Sequence, residues 1–229
     1  MINKGKRPRA NSATELFSLN NCTLCLPGAS RPLLEIPRLQ IRSGERLVIT
    51  GPSGSGKSLL LSMVTGRWAT ELVYSGTRTS GCERIGYIPQ RGQDALHPLM
   101  PLGRQLRKAT GRSAQDVAET LAAVGLDDPQ LLQRRPAELS GGQAQRAAVA
   151  LAALSSAPLI LADEPTSALD EASRDKILCL LDTVVSAQKA LVVVTHDPDV
   201  ADTLATRRIQ LDSGKLRDDP APALQAVPA

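Results

Sequence analysis

Aromatic residues are nearly absent from this 229-residue chain: Phe17, Trp68, Tyr74 and Tyr87 are the whole set. The core must therefore be filled with Leu, Val, Ile and Ala, and no rows of rings exist on which single-stranded nucleic acid could stack. Long apolar runs are missing too. The longest, from Ala147 to Ala162, is broken by Ser155, Ser156 and Pro158, which leaves no span of ~20 apolar residues to cross a membrane. No apolar segment follows the basic start, so no secretory signal is expected. Cysteine is sparse. Cys22 and Cys25 have C-x-x-C spacing, but a zinc site needs a second Cys or His pair nearby, so the pair reads as structural. Strong net charge is also lacking: 27 basic and 23 acidic residues give +4. Part of that excess, Lys4, Lys6, Arg7 and Arg9, lies among Asn, Gly and Pro, a composition that suits a nucleic-acid arm less well than a disordered start.

What is present is an alternation of short apolar runs and helical patterns. Leu16–Leu26 reads as a strand, and Leu33–Ile41, interrupted by Pro37, as an outer strand. Arg46–Thr50 is a short apolar strand, Leu59–Thr65 a helix, and Ile85–Pro89 another strand. Residues 66–84 are polar and Gly-rich, and Gln90–Gly103 is loop-like. Ala114–Val124 has helical spacing with Gly125 as its cap, and Asp127–Pro136 is a turn region. Gln143–Leu154 is an Ala-rich helix. Leu159–Ala162 and Ala190–Thr195 are buried strands, Ser173–Ser186 an amphipathic helix, and Ile209–Leu211 a last strand. The order predicts an α/β fold with a mostly parallel sheet and a helical insertion between Gln90 and Leu139.

Four stretches carry chemistry. Gly51-Pro52-Ser53-Gly54-Ser55-Gly56-Lys57-Ser58 matches G-x-x-x-x-G-K-[ST] in full, between a strand and a helix. Its glycines let the backbone wrap a phosphate, and its N–H groups with the helix start attract the anion. Lys57 supplies a cation for β- and γ-phosphates, and Ser58 a hydroxyl for Mg2+. Leu159-Ile-Leu-Ala-Asp163-Glu164 ends a buried strand in two acids: Asp163 can hold the hydration shell of Mg2+, and Glu164 can orient and deprotonate an attacking water. Leu139-Ser140-Gly141-Gly142-Gln143 opens a helix and forms a second anion site by the same physics, which one ATP held by another copy would explain. His196 and Gln90 each follow a strand end, where a parallel sheet presents its ligands.

Together these residues resemble the ATP-binding cassette family of ATPases over about residues 16–212. In family order they are the phosphate loop, Gln90 of the Q-loop, the signature Leu139–Gln143, the acidic strand, Ser167-Ala168-Leu169-Asp170 as D-loop, and the switch His196. The resemblance implies a P-loop NTPase (RecA-like) core with a small antiparallel β subdomain and an α-helical subdomain at about 92–140. Residues 1–14 would be disordered, 15–212 the ATPase domain and 213–229 a flexible tail. It also implies a head-to-tail dimer that sandwiches two ATPs with Mg2+, each between one subunit's Lys57 loop and the other's Ser140 signature. Glu164 would be the general base, His196 would contact the γ-phosphate, and Gln90 would touch Mg2+ and relay the nucleotide state. Asp170 would lie at the subunit contact. The family usually stacks an aromatic residue on adenine; the matching position here is Leu26, which offers only aliphatic contact.

A finer resemblance, in Gln93–Gln105, Val124–Pro129 and Arg135–Gly142, is to importers of oligopeptides, dipeptides and nickel. The chain ends soon after Leu211, as in the shorter nickel or metal-chelate members. The implied protein is the cytoplasmic, peripheral membrane ATPase of an importer. Its partners are a second cassette, identical or paralogous, permease subunits and, indirectly, an extracytoplasmic solute-binding protein. No nucleic acid is expected. Soluble relatives fit less well: the insertion from Gln90 to Ser140 has no heptads for a repair-type coiled coil, and one phosphate loop does not make a fused translation-type pair. An accessory subunit of a soluble complex, as in phosphonate metabolism, remains the alternative.

Overall fold

The computed structural model describes residues 13–167, 169–184 and 188–219. In chain order its elements are β1 (Glu15–Cys25), β2 (Leu34–Arg42), β3 (Arg46–Thr50), α1 (Lys57–Thr65), β4 (Val73–Ser80), β5 (Ile85–Ile88), α2 (Leu102–Thr110), α3 (Ala114–Ala123), α4 (Gly141–Leu154), β6 (Leu159–Asp163), α5 (Glu171–Val184), β7 (Ala190–Thr195), α6 (Pro198–Leu204), β8 (Arg207–Asp212) and β9 (Lys215–Asp219). The nine strands form one sheet in the order β4-β1-β2-β9-β8-β3-β7-β6-β5. From β8 to β5 every neighbour is parallel, whereas β4, β1 and β2 make an antiparallel ladder.

The two halves differ because their sequences do. Every residue of β6 (Leu-Ile-Leu-Ala-Asp) and β7 (Ala-Leu-Val-Val-Val-Thr) is buried, as expected of parallel strands covered on both faces. One face packs on α1, through Leu60, Leu61, Met63 and Val64, and on β1 and β2. The other packs on α4, whose alanines at 144, 147 and 148 let α2 and α3 approach closely through Leu102, Leu106, Val117 and Leu121.

The register brings the chemistry to one edge. Thr50 pairs with Thr195, Asp163 with Val194, and Ile88 with Ala162. The residues that follow these strands, Gly51, His196, Glu164 and Gln90, therefore leave the sheet side by side at its carboxyl end, where open α/β sheets bind ligands.

Several segments differ from the sequence reading. Residues 66–84 contain β4, which pairs with β1; its alternation is masked because nearly all of its side chains are exposed or half-buried. Helix α2 was not foreseen, since four of its nine residues are Gly or basic. Nor was α6, although Asp197 caps it and Pro198 opens it, a recognised start signal. The stretch 213–229, expected as a flexible tail, begins with the turn and strand of β9, antiparallel to β8; residues 220–229 lie outside the described residues. So do residues 1–12, with the basic cluster Lys4–Arg9 and most of the expected disordered start. Strand β2 is not at the sheet edge. Pro37 is tolerated because it lies opposite Asn21, which has a φ of 50° and no partner in the β1–β2 ladder, while on its other side β2 pairs only through Glu35 with Lys215. No helix among the described residues is long and apolar enough to cross a membrane.

Candidate nucleotide site

The phosphate loop turns at the end of β3 under the last strands of the sheet. A Cβ at Gly51 would lie 2.2 Å from the Leu211 carbonyl oxygen, so only glycine allows the loop this close to β8. The β8–β9 turn closes the contact: Gly214 N–H donates to Ser55 O at 3.0 Å. Gly51→Ala is expected to force the loop off β8 and to destabilise the fold by about 1–3 kcal/mol, the usual cost of overpacking, seen as a lower melting temperature. No side chain caps α1, so its first N–H groups remain available to an anion.

Lys57 is only 8% exposed. Its ammonium folds back over the loop, donating to Gly51 O at 2.8 Å and Pro52 O at 3.0 Å. Carbonyls replace an anion poorly, so a phosphate would compete for this charge.

Asp163, 5% exposed, ends β6. Burial raises its pKa, against the opposing pull of a hydrogen bond from Ser58 and one from Tyr87. The Tyr87 hydroxyl donates to Asp163 Oδ2 at 3.4 Å. Burial, with the Asp163 carboxylate beside it, pushes the Tyr87 phenol up to about 12, so it remains a donor at neutral pH. Glu164 adopts a φ of +47°. Its N–H donates to Val194 O at 2.9 Å, and its carbonyl accepts from Ser167 Oγ at 3.1 Å. His196 Nδ1 sits 2.9 Å from both Glu164 carboxylate oxygens.

Ser53, Gly54, Gly56, Lys57, Ser58, Gln90, Asp163 and Glu164 wall one cavity of about 300 Å³. A larger cleft of about 440 Å³ lies between α1 and strands β4 and β5, and shares Ser58; most of the groups foreseen from sequence are in the smaller one. Gly51, Pro52 and Ser55 belong to the same loop, and His196 reaches it through Glu164. Three sets of foreseen residues stand elsewhere. Ser140, Gly141, Gly142 and Gln143 form the start of α4, with a reciprocal cap: Gln143 N–H donates to Ser140 Oγ at 3.2 Å and Ser140 N–H to Gln143 Oε1 at 2.9 Å. Asp170 accepts from Ser173 N–H at 2.9 Å, which holds its carboxyl below the usual range and starts α5. Leu26 is 48% exposed in the turn after β1. None of these lines the cavity.

Comparison with known proteins decides what this arrangement is. The family model for "ABC transporter" matches residues 34–167, more than half of the chain. The chain belongs to the ABC transporter family as one of its ATPase domains. The cassette is 36% identical over 220 residues to the sn-glycerol-3-phosphate import ATP-binding protein UgpC of Chromobacterium violaceum, covering 90% of this chain and 59% of that relative's length. It is 30% identical over 242 residues to the lipoprotein-releasing system ATP-binding protein LolD of Chromohalobacter salexigens, covering 92% and 99%. Among solved structures it resembles the dimeric post-hydrolysis state of the ATP-binding cassette MJ0796 bound to ADP and Pi, with a TM-score of 0.73, 30% identity and 89% and 98% coverage. It also resembles an inward-facing metal-chelate type ABC transporter, with a TM-score of 0.67, 27% identity and 90% and 83% coverage. The fold is the P-loop NTPase fold foreseen from sequence, and the nucleotide is ATP. The finer likeness to oligopeptide and nickel importers is not what these relatives share.

Two side chains of the site escaped the sequence reading. Tyr87 stands in β5 three residues before Gln90 and could have been noticed as a polar ring beside a strand end. Gln145 is a polar residue in an Ala-rich helix, and only the packing shows its use.

Proposed function

We propose that this cassette is the ATP-hydrolysing subunit of an importer, working as a head-to-tail pair beneath permease subunits on the inner face of the cell membrane. The observation that carries it is the half-built site. The phosphate loop, Gln90, Asp163 and Glu164 share one cavity, while the second anion-binding helix start, Ser140–Gln143, lies outside it. A second subunit placed head-to-tail would bring its own Ser140–Gln143 to the γ-phosphate.

The donors near the phosphate loop suit Mg2+. Ser58 offers a hydroxyl, Asp163 a carboxylate and Gln90 an amide oxygen, the hard oxygen set this ion takes alongside phosphate oxygens and water. When bound, Mg2+ neutralises charge on the phosphates. Lys57 would leave the Gly51 and Pro52 carbonyls for the β- and γ-phosphates. Glu164 would take a proton from the attacking water as its oxygen bonds the γ-phosphorus and ADP leaves. His196, hydrogen-bonded to Glu164, would orient that carboxylate and reach the γ-phosphate. Asp170 would meet the facing subunit, and Leu26 would touch adenine through aliphatic contact alone.

Tyr87→Phe removes one of the two donors to Asp163. The half-saturating Mg2+ concentration for turnover is expected to rise about three- to tenfold, ~1 kcal/mol, while nucleotide affinity measured in EDTA stays unchanged.

A small solute such as a peptide, nickel or a metal chelate is the cargo we favour. Support comes from the stretch Gln93–Gln105 and from the likeness to a metal-chelate type transporter. An extracytoplasmic binding protein would deliver it. Affinity capture from solubilised membranes tests the reading: integral permease subunits should copurify, and capture of soluble enzymes alone would replace the importer with a subunit of a soluble complex.

A further inference from the structure

Gln145 is 2% exposed and lies one turn into α4 from Ser140. Its Nε2 donates to Pro89 O at 3.3 Å and to Pro165 O at 3.2 Å. Pro89 directly precedes Gln90, and Pro165 directly follows Glu164. Both prolines are buried, so their carbonyls have little water to turn to, and a buried carbonyl without a donor is costly. A primary amide nitrogen carries two hydrogens on one atom without a charge, which suits two carbonyls arriving from the ends of adjacent parallel strands, β5 and β6.

The far side of Gln90 rests on the same spot. A Cβ at Gly92 would come within 2.4 Å of both the N and the Cα of Gln145, so the loop after Gln90 lies directly on the α4 backbone. One residue of α4 thus touches the chain on both sides of Gln90 and immediately after Glu164. It is also five positions from Ser140, whose helix start carries the second anion site.

We propose that Gln145 is a positioning residue that ties the Gln90 loop and the Glu164 loop to α4, so that displacement of the helix start at Ser140–Gln143 moves both loops together. Such a tie links one subunit's own water-activating loop to the anion it grips in the other subunit's site. Buried polar contacts of this kind specify geometry more than they add stability. The link to turnover rests on the roles proposed above for Gln90 and Glu164; the mechanical tie does not.

The test uses the full chain with Gln145→Leu, which keeps similar bulk and removes both donors, and Gln145→Met as a second variant in case the first folds poorly. Amide hydrogen exchange is measured in Gln90–Gly92 and in Thr166–Ser167, together with ATP affinity and turnover. The expected result is at least tenfold faster exchange in both segments, with the rest of α4 unchanged. ATP affinity stays within twofold and turnover falls at least tenfold. Faster exchange in only one segment, or in neither, overturns the tie. Exchange that rises throughout α4 with a parallel loss of ATP affinity overturns it as well, since Gln145 would then serve only the core. Full turnover in Glu164→Gln would defeat the functional reading of that acid while leaving the exchange result, and hence the tie, intact.

Discussion

Glu164→Gln is expected to keep ATP bound and to lose roughly 100- to 10,000-fold in turnover, the range a positioned general base supplies. Glutamine has the size of glutamate but cannot take the proton of the attacking water. The position itself is well determined. A non-glycine residue at φ +47° carries backbone strain of about 1–3 kcal/mol, which the bonds to Val194 O and from Ser167 Oγ offset. The chain is thereby turned sharply after β6, and the carboxylate faces the cavity rather than the sheet. Lys57, Ser58 and the phosphate loop are untouched by the change, so ATP affinity should stay within a few-fold. In the proposed head-to-tail pair the unhydrolysed ATP would contact both subunits and ADP would not, so it should also hold them together. Phosphate release reads the first effect, and size-exclusion chromatography with and without ATP reads the second. Undiminished phosphate release would remove Glu164 as the base.

The second large effect comes from mixing two inactive variants. Lys57→Ala removes the cation of the phosphate loop, and Ser140→Arg blocks the helix start that lies outside that loop's cavity. Each alone should abolish turnover. In a head-to-tail pair of one of each, one site combines both lesions, and the other combines an intact Lys57 with an intact Ser140. Statistical pairing of a symmetric dimer then restores about a quarter of the wild-type sites, and turnover should recover to that order on mixing. A site built within one chain predicts no recovery at any ratio, because every site would carry one lesion. Ser140–Gln143 lies outside the Lys57 cavity, so the two lesions fall on separate parts of one chain.

Much of the site could be read without coordinates. Phosphate binding by a glycine-rich turn needs its residues in one unbroken run, so Gly51–Ser58 announces itself. An acid pair that ends an apolar strand is equally local, and so is a Ser-Gly-Gly-Gln helix start with its reciprocal cap. The parallel strands were legible because burial on both faces leaves no polar alternation in Leu159–Ala162 or Ala190–Thr195. Strand β4 was not, since Val73–Ser80 is solvent-facing and gains its order from the partner β1. Helix α2 was missed because its buried face holds only Leu102 and Leu106 as large apolar residues, beside Gly103 and Gln105.

The sequence alone determined the family and the nucleotide, because both are written in short contiguous motifs whose chemistry depends on neighbouring positions. Only the tertiary structure decided which motifs meet. Pairing of β3, β5, β6 and β7 in register sets Gly51, Gln90, Glu164 and His196 at one sheet edge, a consequence of long-range strand order that no local spacing encodes. The same packing keeps Ser140–Gln143 and Asp170 out of that cavity. It also aims Tyr87 at Asp163 and places Gln145 between two proline carbonyls. Those contacts join residues far apart in the chain, and their partners exist only once the sheet has closed around them.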